Sequence, residues 1–248
     1  MELILKNVSK KLSKNFSLNN VNFSIKNGEV LGLIGNNGAG KTTIIKSIFK
    51  EYRLDQGEIL VNGKSISKYD LRKIEFFPDQ NNFPKNFKII DYCYHNYLLS
   101  NIDGNKKQFK IRFKELSESL ELLEYKNKKF LHLSSGMQKR FLLLCALMNK
   151  PEMIICDEPM ANMDIQTRKD FILLFKKLIE KFDLIVLITS HDIEELEKLI
   201  NKVVLVDKGE IILEKNFNNK KDNLAELYEK NIRNPKSKIK VEEILKGY

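Results

Sequence analysis

Apolar and polar residues change rhythm several times along this chain, and each change marks an element. The opening thirty residues alternate, as LILKNV and then VNFSI, which is the period of antiparallel strands with one face covered. An Asn27-Gly28 turn follows. VLGLI (Val30 to Ile34) then runs apolar without a break, predicting a strand buried on both faces. A glycine-rich stretch comes next, and TTIIKSIF takes up helical spacing. DQGEILVNG (55–63) predicts a hairpin strand bounded by glycines. Between residues 89 and 130 apolar positions such as Leu116, Leu120 and Leu123 fall three and four apart among many charges, the pattern of a surface-exposed helical insert. LLLCALM predicts a buried helix, MIIC a buried strand, DFILLFKKLIEKF an amphipathic helix and LIVLIT another buried strand. KVVLVDKGEIIL closes as a hairpin that turns near Lys208-Gly209. This alternation predicts an α/β fold with a mainly parallel central sheet, an N-terminal antiparallel β subdomain and an inserted α-helical subdomain at about 84–140. One domain is expected over 1–215, followed by a basic, partly helical tail over 216–248 that reads as a solvated appendage or, alternatively, a partner-binding segment.

Composition narrows the class. Of 248 residues, 42% are hydrophobic and 31% charged, enough for a real core and far from a disordered profile. No stretch reaches the roughly eighteen consecutive apolar residues that would span a bilayer. The first ten residues, MELILKNVSK, lack a secretory signal, so a cytosolic start is expected. Cys93, Cys145 and Cys156 stand apart without a C-x-x-C pair, which argues against disulfide or zinc chemistry. The net charge of +10 is spread along the chain, densest over 106–129 and from Lys215 onward. It suits a solvated surface or nearness to an anionic membrane face. Nucleic acid is not expected as a partner, because no aromatic–basic interleaving accompanies the charge.

Two motifs carry chemistry on their own. Gly35, Asn36, Asn37, Gly38, Ala39, Gly40, Lys41, Thr42 and Thr43 spell G-x-x-x-x-G-K-[ST] between a predicted strand and a predicted helix. Glycines let successive N–H groups face an anion, and the helix start adds its positive dipole end. Lys41 has the reach for the β- and γ-phosphates of a nucleotide, and the Thr42 hydroxyl suits Mg²⁺. This is the mark of a P-loop NTPase core. MIICDEP supplies the partner: an apolar strand ends in Asp157, suited to coordinate Mg²⁺, and Glu158, suited to orient an attacking water. Between these motifs lies LSSGMQKR (133–140), in which Ser134 can cap a helix beginning near Gly136 and create a second anion site.

LSSGMQKR resembles the signature of the ATP-binding-cassette family, and its place between the phosphate loop and the acidic strand matches that family's motif order. The resemblance covers roughly residues 1–215 and implies an ATPase using ATP and Mg²⁺. It further implies a working dimer, in which Ser134 and Gly136 of one subunit cover the γ-phosphate held by the other. ANMD (161–164) matches the family's D-loop, with Asp164 as its acid, and His191 stands where the family has its switch histidine. The family's metal-contacting loop glutamine falls at Gln80 or Asp79, and the residue stacking on adenine at Leu12 or Phe16. Ser135 and Met137 depart from the usual signature glycine and glutamine. The function implied is the ATP-hydrolysing subunit of an ABC transporter, of exporter type from the Gly136-Met137 pairing. It would act with a separate transmembrane permease and a second cassette subunit, peripherally on the cytoplasmic face of the cell membrane. A soluble, non-transport cassette ATPase is the alternative.

Overall fold

A computed structural model describes residues 1–79, 83–100, 104–161, 163–190 and 193–232. Ten strands appear in it: β1 (Glu2–Lys11), β2 (Ser17–Lys26), β3 (Val30–Ile34), β4 (Gln56–Val61), β5 (Lys64–Ser65), β6 (Ile74–Phe77), β7 (Met153–Asp157), β8 (Ile185–Thr189), β9 (Lys202–Asp207) and β10 (Glu210–Asn216). The helices are α1 (Lys41–Ile48), α2 (Lys68–Leu71), α3 (Ile89–Ser100), α4 (Lys106–Ser119), α5 (Ser135–Met148), α6 (Ile165–Phe182), α7 (Ile193–Glu197) and α8 (Leu224–Asn231).

The strands form two sheets. One is antiparallel, in the order β2-β1-β4-β5, and holds the alternating N-terminal segments. The other runs β10-β9-β3-β8-β7-β6 and is parallel except for the final β9–β10 hairpin. The continuous apolar runs have thus become its central strands: all five residues of β3 and all five of β8 are buried. The pleat of β3 explains why. Leu31 and Leu33 face a core shared with the antiparallel sheet and α1, whereas Val30 and Ile34 face a second core shared with α3 to α6.

Three helices, α3, α4 and α5, make the expected helical insert, and rings hold it together. Phe83 packs against Phe130, Phe141 and Tyr92 with centroids 4.5, 5.5 and 4.6 Å apart. Strand β6 carries no clear signal in the sequence, because its four residues are too short to establish a period. The start of the tail is seated on the core instead of standing in solvent. Phe217, Leu224 and Ile232 are buried, and the Leu224 N–H donates to Glu197 Oε2 at 3.4 Å.

Candidate nucleotide-binding site

The glycine-rich stretch leaves the end of β3 and enters α1 through a backbone that few residues adopt. Gly40, the residue before α1, has φ +118°, and a Cβ there would meet Leu18 Cδ2 at 2.9 Å. The Asn36 carbonyl accepts from the Ala39 N–H at 3.0 Å, closing a tight turn. Lys41 folds over this turn and donates to the Gly35 carbonyl at 2.6 Å and the Asn36 carbonyl at 3.2 Å. Burial pulls the Lys41 pKa down, while the charges of Glu158 and Asp157 pull it up.

A second peptide supports the loop from behind. Gly209, at the tip of the β9–β10 hairpin, donates its N–H to the Ala39 carbonyl at 2.8 Å and accepts from the Asn19 N–H at 2.9 Å. Its φ is +82°, and a Cβ would fall 1.9 Å from the Ser17 carbonyl oxygen, so glycine is required.

Residues 36–43, Asp157, Glu158 and Phe16 together line a cleft of about 430 Å³. Parallel pairing brings the carboxylates there. Asp157 ends β7 opposite Thr189 of β8, and its Oδ1 accepts from the Thr189 hydroxyl at 2.6 Å. Glu158 continues the ladder by donating its N–H to the Thr189 carbonyl at 3.1 Å. It does so at φ +49°, an unfavourable conformation for a residue with a side chain. Lys139 of α5 supports that backbone: its ammonium donates to the Glu158 carbonyl at 3.0 Å and lies 5.6 Å from the centre of the Phe77 ring. Lys139 is fully buried, which lowers its pKa, while Asp79, Cys156, Glu158 and Asp157 act to raise it.

The structure therefore brings Lys41, Thr42, Thr43, Asp157 and Glu158 to one cleft with the phosphate loop. It adds Phe16 and not Leu12, a residue 39% exposed outside the cleft lining. Ser134 and Gly136 are not part of the cleft lining. Ser134 caps α5 by accepting from the Met137 N–H at 3.3 Å, so the helix begins one residue earlier than Gly136. Gly136 lies against Thr167, with Asp164 next to it; Asp164 caps α6 by accepting from the Thr167 N–H at 3.0 Å and the Thr167 hydroxyl at 2.6 Å. Asp79 is described but lies outside the cleft lining, and Gln80 and His191 fall outside the described residues. Sequence reasoning missed Thr189, which holds Asp157, and Lys139, which holds Glu158. A polar residue ending an apolar strand was a usable signal for the first. Nothing marked the second among so many surface lysines.

The donor set fits Mg²⁺ held with a nucleotide. Thr42 and Asp157 offer hard oxygen ligands in the same cleft as the glycine-rich loop. Among the described residues no group of three or more His, Cys, Asp or Glu stands ready to hold a metal alone. Mg²⁺ bound largely through phosphate oxygens and water requires none. Among the described residues, no helix is long and apolar enough to cross a membrane.

Comparisons with known proteins point to one family. The ABC transporter family model matches residues 18–161. A putative ABC transporter ATP-binding protein of Mycoplasma pneumoniae is 34% identical over 86% of this chain, which spans 64% of that protein's length. The zinc import ATP-binding protein ZnuC of Rickettsia conorii is 30% identical, with 82% of this chain and 81% of ZnuC covered. Among solved structures, the dimeric post-hydrolysis state of the ATP-binding cassette MJ0796, bound to ADP and Pi, superposes with a TM-score of 0.75 at 26% identity. That match covers 87% of this chain and 99% of MJ0796. With this fold, this motif order and these relatives, the chain belongs to the ABC transporter family, as an ATP-binding cassette.

Proposed function

We propose that the chain binds Mg-ATP in the cleft between residues 36–43 and Asp157–Glu158, hydrolyses it in a dimer of cassettes, and drives transport by a separate membrane permease. One observation carries this reading: the phosphate loop, Lys41 and both carboxylates converge on a single cleft. The loop amides and Lys41 bind and orient the phosphate chain. When bound, Mg²⁺ supplies charge neutralisation at the phosphate oxygens, with Thr42 and Asp157 as its protein ligands. Glu158 orients the attacking water from its strained, Lys139-supported backbone. Phe16 gives the base a ring to stack on. Ser134 and Gly136 stand outside the cleft, which accords with their acting on the nucleotide of a second subunit, as does the dimeric state of MJ0796.

The same reading places the protein at the cytoplasmic face of the membrane, held there by its permease. Export, expected from the Gly136-Met137 pairing, has no support from the zinc relative, which serves import. The direction of transport is accordingly left to the permease.

Substituting Glu158→Gln tests the chemistry. Nucleotide affinity should stay within about threefold of wild type, while steady phosphate release falls by two orders of magnitude or more. Phosphate release at the wild-type rate would remove Glu158 from its role. A pull-down from detergent-solubilised host membranes, with Lys41→Ala as control, tests the partner. Recovery of a multi-spanning protein in stoichiometric amount supports transport, and recovery of soluble proteins alone overturns it.

A further inference from the structure

Helix α8 reaches the phosphate loop from outside the catalytic motifs. The Tyr228 hydroxyl donates to Asn36 Oδ1 at 2.6 Å, across 192 positions of sequence. Asn36 is a demanding place for such a contact, since its own carbonyl accepts from both Ala39 N–H and Lys41 Nζ. A side chain that fixes Asn36 therefore fixes the residue on which the loop's turn and its lysine both rest. Helix α8 is firmly enough seated to act as an anchor. Leu224 is wholly buried at its start, and the Ile232 N–H closes its end on the Tyr228 carbonyl at 2.8 Å. Just before it, the Phe217 N–H donates to the Asn201 carbonyl at 2.8 Å, and Asn201 Oδ1 accepts from the Val30 N–H at the start of β3. The segment from Phe217 through α8 is thus tied to both ends of the strand–loop unit: by Phe217 and Asn201 to the first residue of β3, and by Tyr228 to the loop beyond its last.

We propose that Tyr228 is a positioning residue of the nucleotide site, holding Asn36 so that the phosphate loop is set in its binding shape before nucleotide arrives. The proposal rests on the reading of this cleft as a nucleotide site. It makes residues 224–232 a working part of the cassette, although they follow its last family motif. A preset loop spares the nucleotide the cost of ordering it, so the effect belongs in affinity more than in turnover.

The test is titration calorimetry with Mg-ADP on the full chain, for wild type, Tyr228→Phe, Asn36→Ala and the double variant, alongside the KM and kcat of each for ATP. Tyr228→Phe keeps the ring and its packing and removes only the hydroxyl. Loss of one hydrogen bond should weaken Mg-ADP binding roughly three- to tenfold. The KM should rise by a similar factor and kcat change less. Asn36→Ala should cost about as much, and the double variant no more than the worse single one. Wild-type affinity in Tyr228→Phe overturns the proposal, as does a loss of the same size when Asn36 is already alanine. If folded wild-type protein fails to bind Mg-ADP, the nucleotide reading itself falls, an outcome distinct from either of these.

Discussion

Lys139 and Glu75 are both charged in water and both buried here, yet their surroundings have opposite consequences. Lys139 donates to the Glu158 carbonyl and lies near three carboxylates, so its charge is compensated. Replacing it with methionine keeps the volume but removes one of that carbonyl's donors, the Ala161 N–H at 3.3 Å staying, and one of the two lysine charges near Glu158 and Asp157, at a cost of about 1–3 kcal/mol. Lys139→Met should lower the melting temperature by several degrees and, by releasing the strained Glu158 backbone, reduce kcat tenfold or more. Thermal unfolding and turnover assays read the two effects separately. Among the described residues no cation compensates Glu75. Burial raises its pKa to about 7, although hydrogen bonds from Asn149, Asn96 and Ser100 act to lower it. A folded pKa above the unfolded value of about 4.5 means that the native state binds a proton more tightly than the unfolded chain does. Stability from this group is therefore whole below about pH 4.5 and is lost as pH rises to about 7, by roughly 3 kcal/mol in all. Glu75→Gln should flatten that part of the stability–pH curve and be more stable than wild type at pH 8, as urea unfolding at several pH values would show.

At the scale of elements, the sequence was most legible where burial imposes a single pattern. Strands β3, β7 and β8 are continuous apolar runs because helices or the second sheet cover both their faces, and β1 and β2 alternate because only one face is covered. The Lys208-Gly209 turn was legible from its glycine, and the structure shows positive φ at both residues. Strand β6 was not legible, since its order comes from pairing with β7 rather than from its own four residues. The site divides in the same way. The phosphate loop and the acidic strand end are contiguous in sequence and could be read directly. Thr189, Lys139 and Tyr228 act across distances that only the fold closes. Leu12 against Phe16 was open in the sequence for a related reason: the Leu12 and Ser13 N–H groups donate to the Phe16 carbonyl at 3.1 and 3.2 Å, and this turn, not residue spacing, carries Phe16 to the cleft.

At the scale of the whole molecule, the described residues form two cores divided by one sheet, and the two parts of the proposed nucleotide chemistry lie apart. The phosphate loop opens on one cleft, while Ser134 and Gly136 stand with Asp164 at the helix starts of α5 and α6. A dimer with shared sites then makes a sharp prediction. Lys41→Ala and Gly136→Asp should each be nearly inactive alone. Mixed subunits should regain phosphate release, because the heterodimer contains one site with both parts intact. A mixture as inactive as its components would exclude shared sites. The Gly209 peptide has a different reach. It is bonded on one side to Ala39 of the phosphate loop and on the other to Asn19, three residues beyond Phe16. Main-chain bonds therefore set the span from the aromatic ring to the lysine, and the cleft works as a gauge. On the proposed reading it measures the length of the phosphate chain while asking little of a base stacked on Phe16. ATP, GTP and CTP should accordingly compete on similar terms, whereas trimming the phosphate chain to a monophosphate should forfeit most of the affinity.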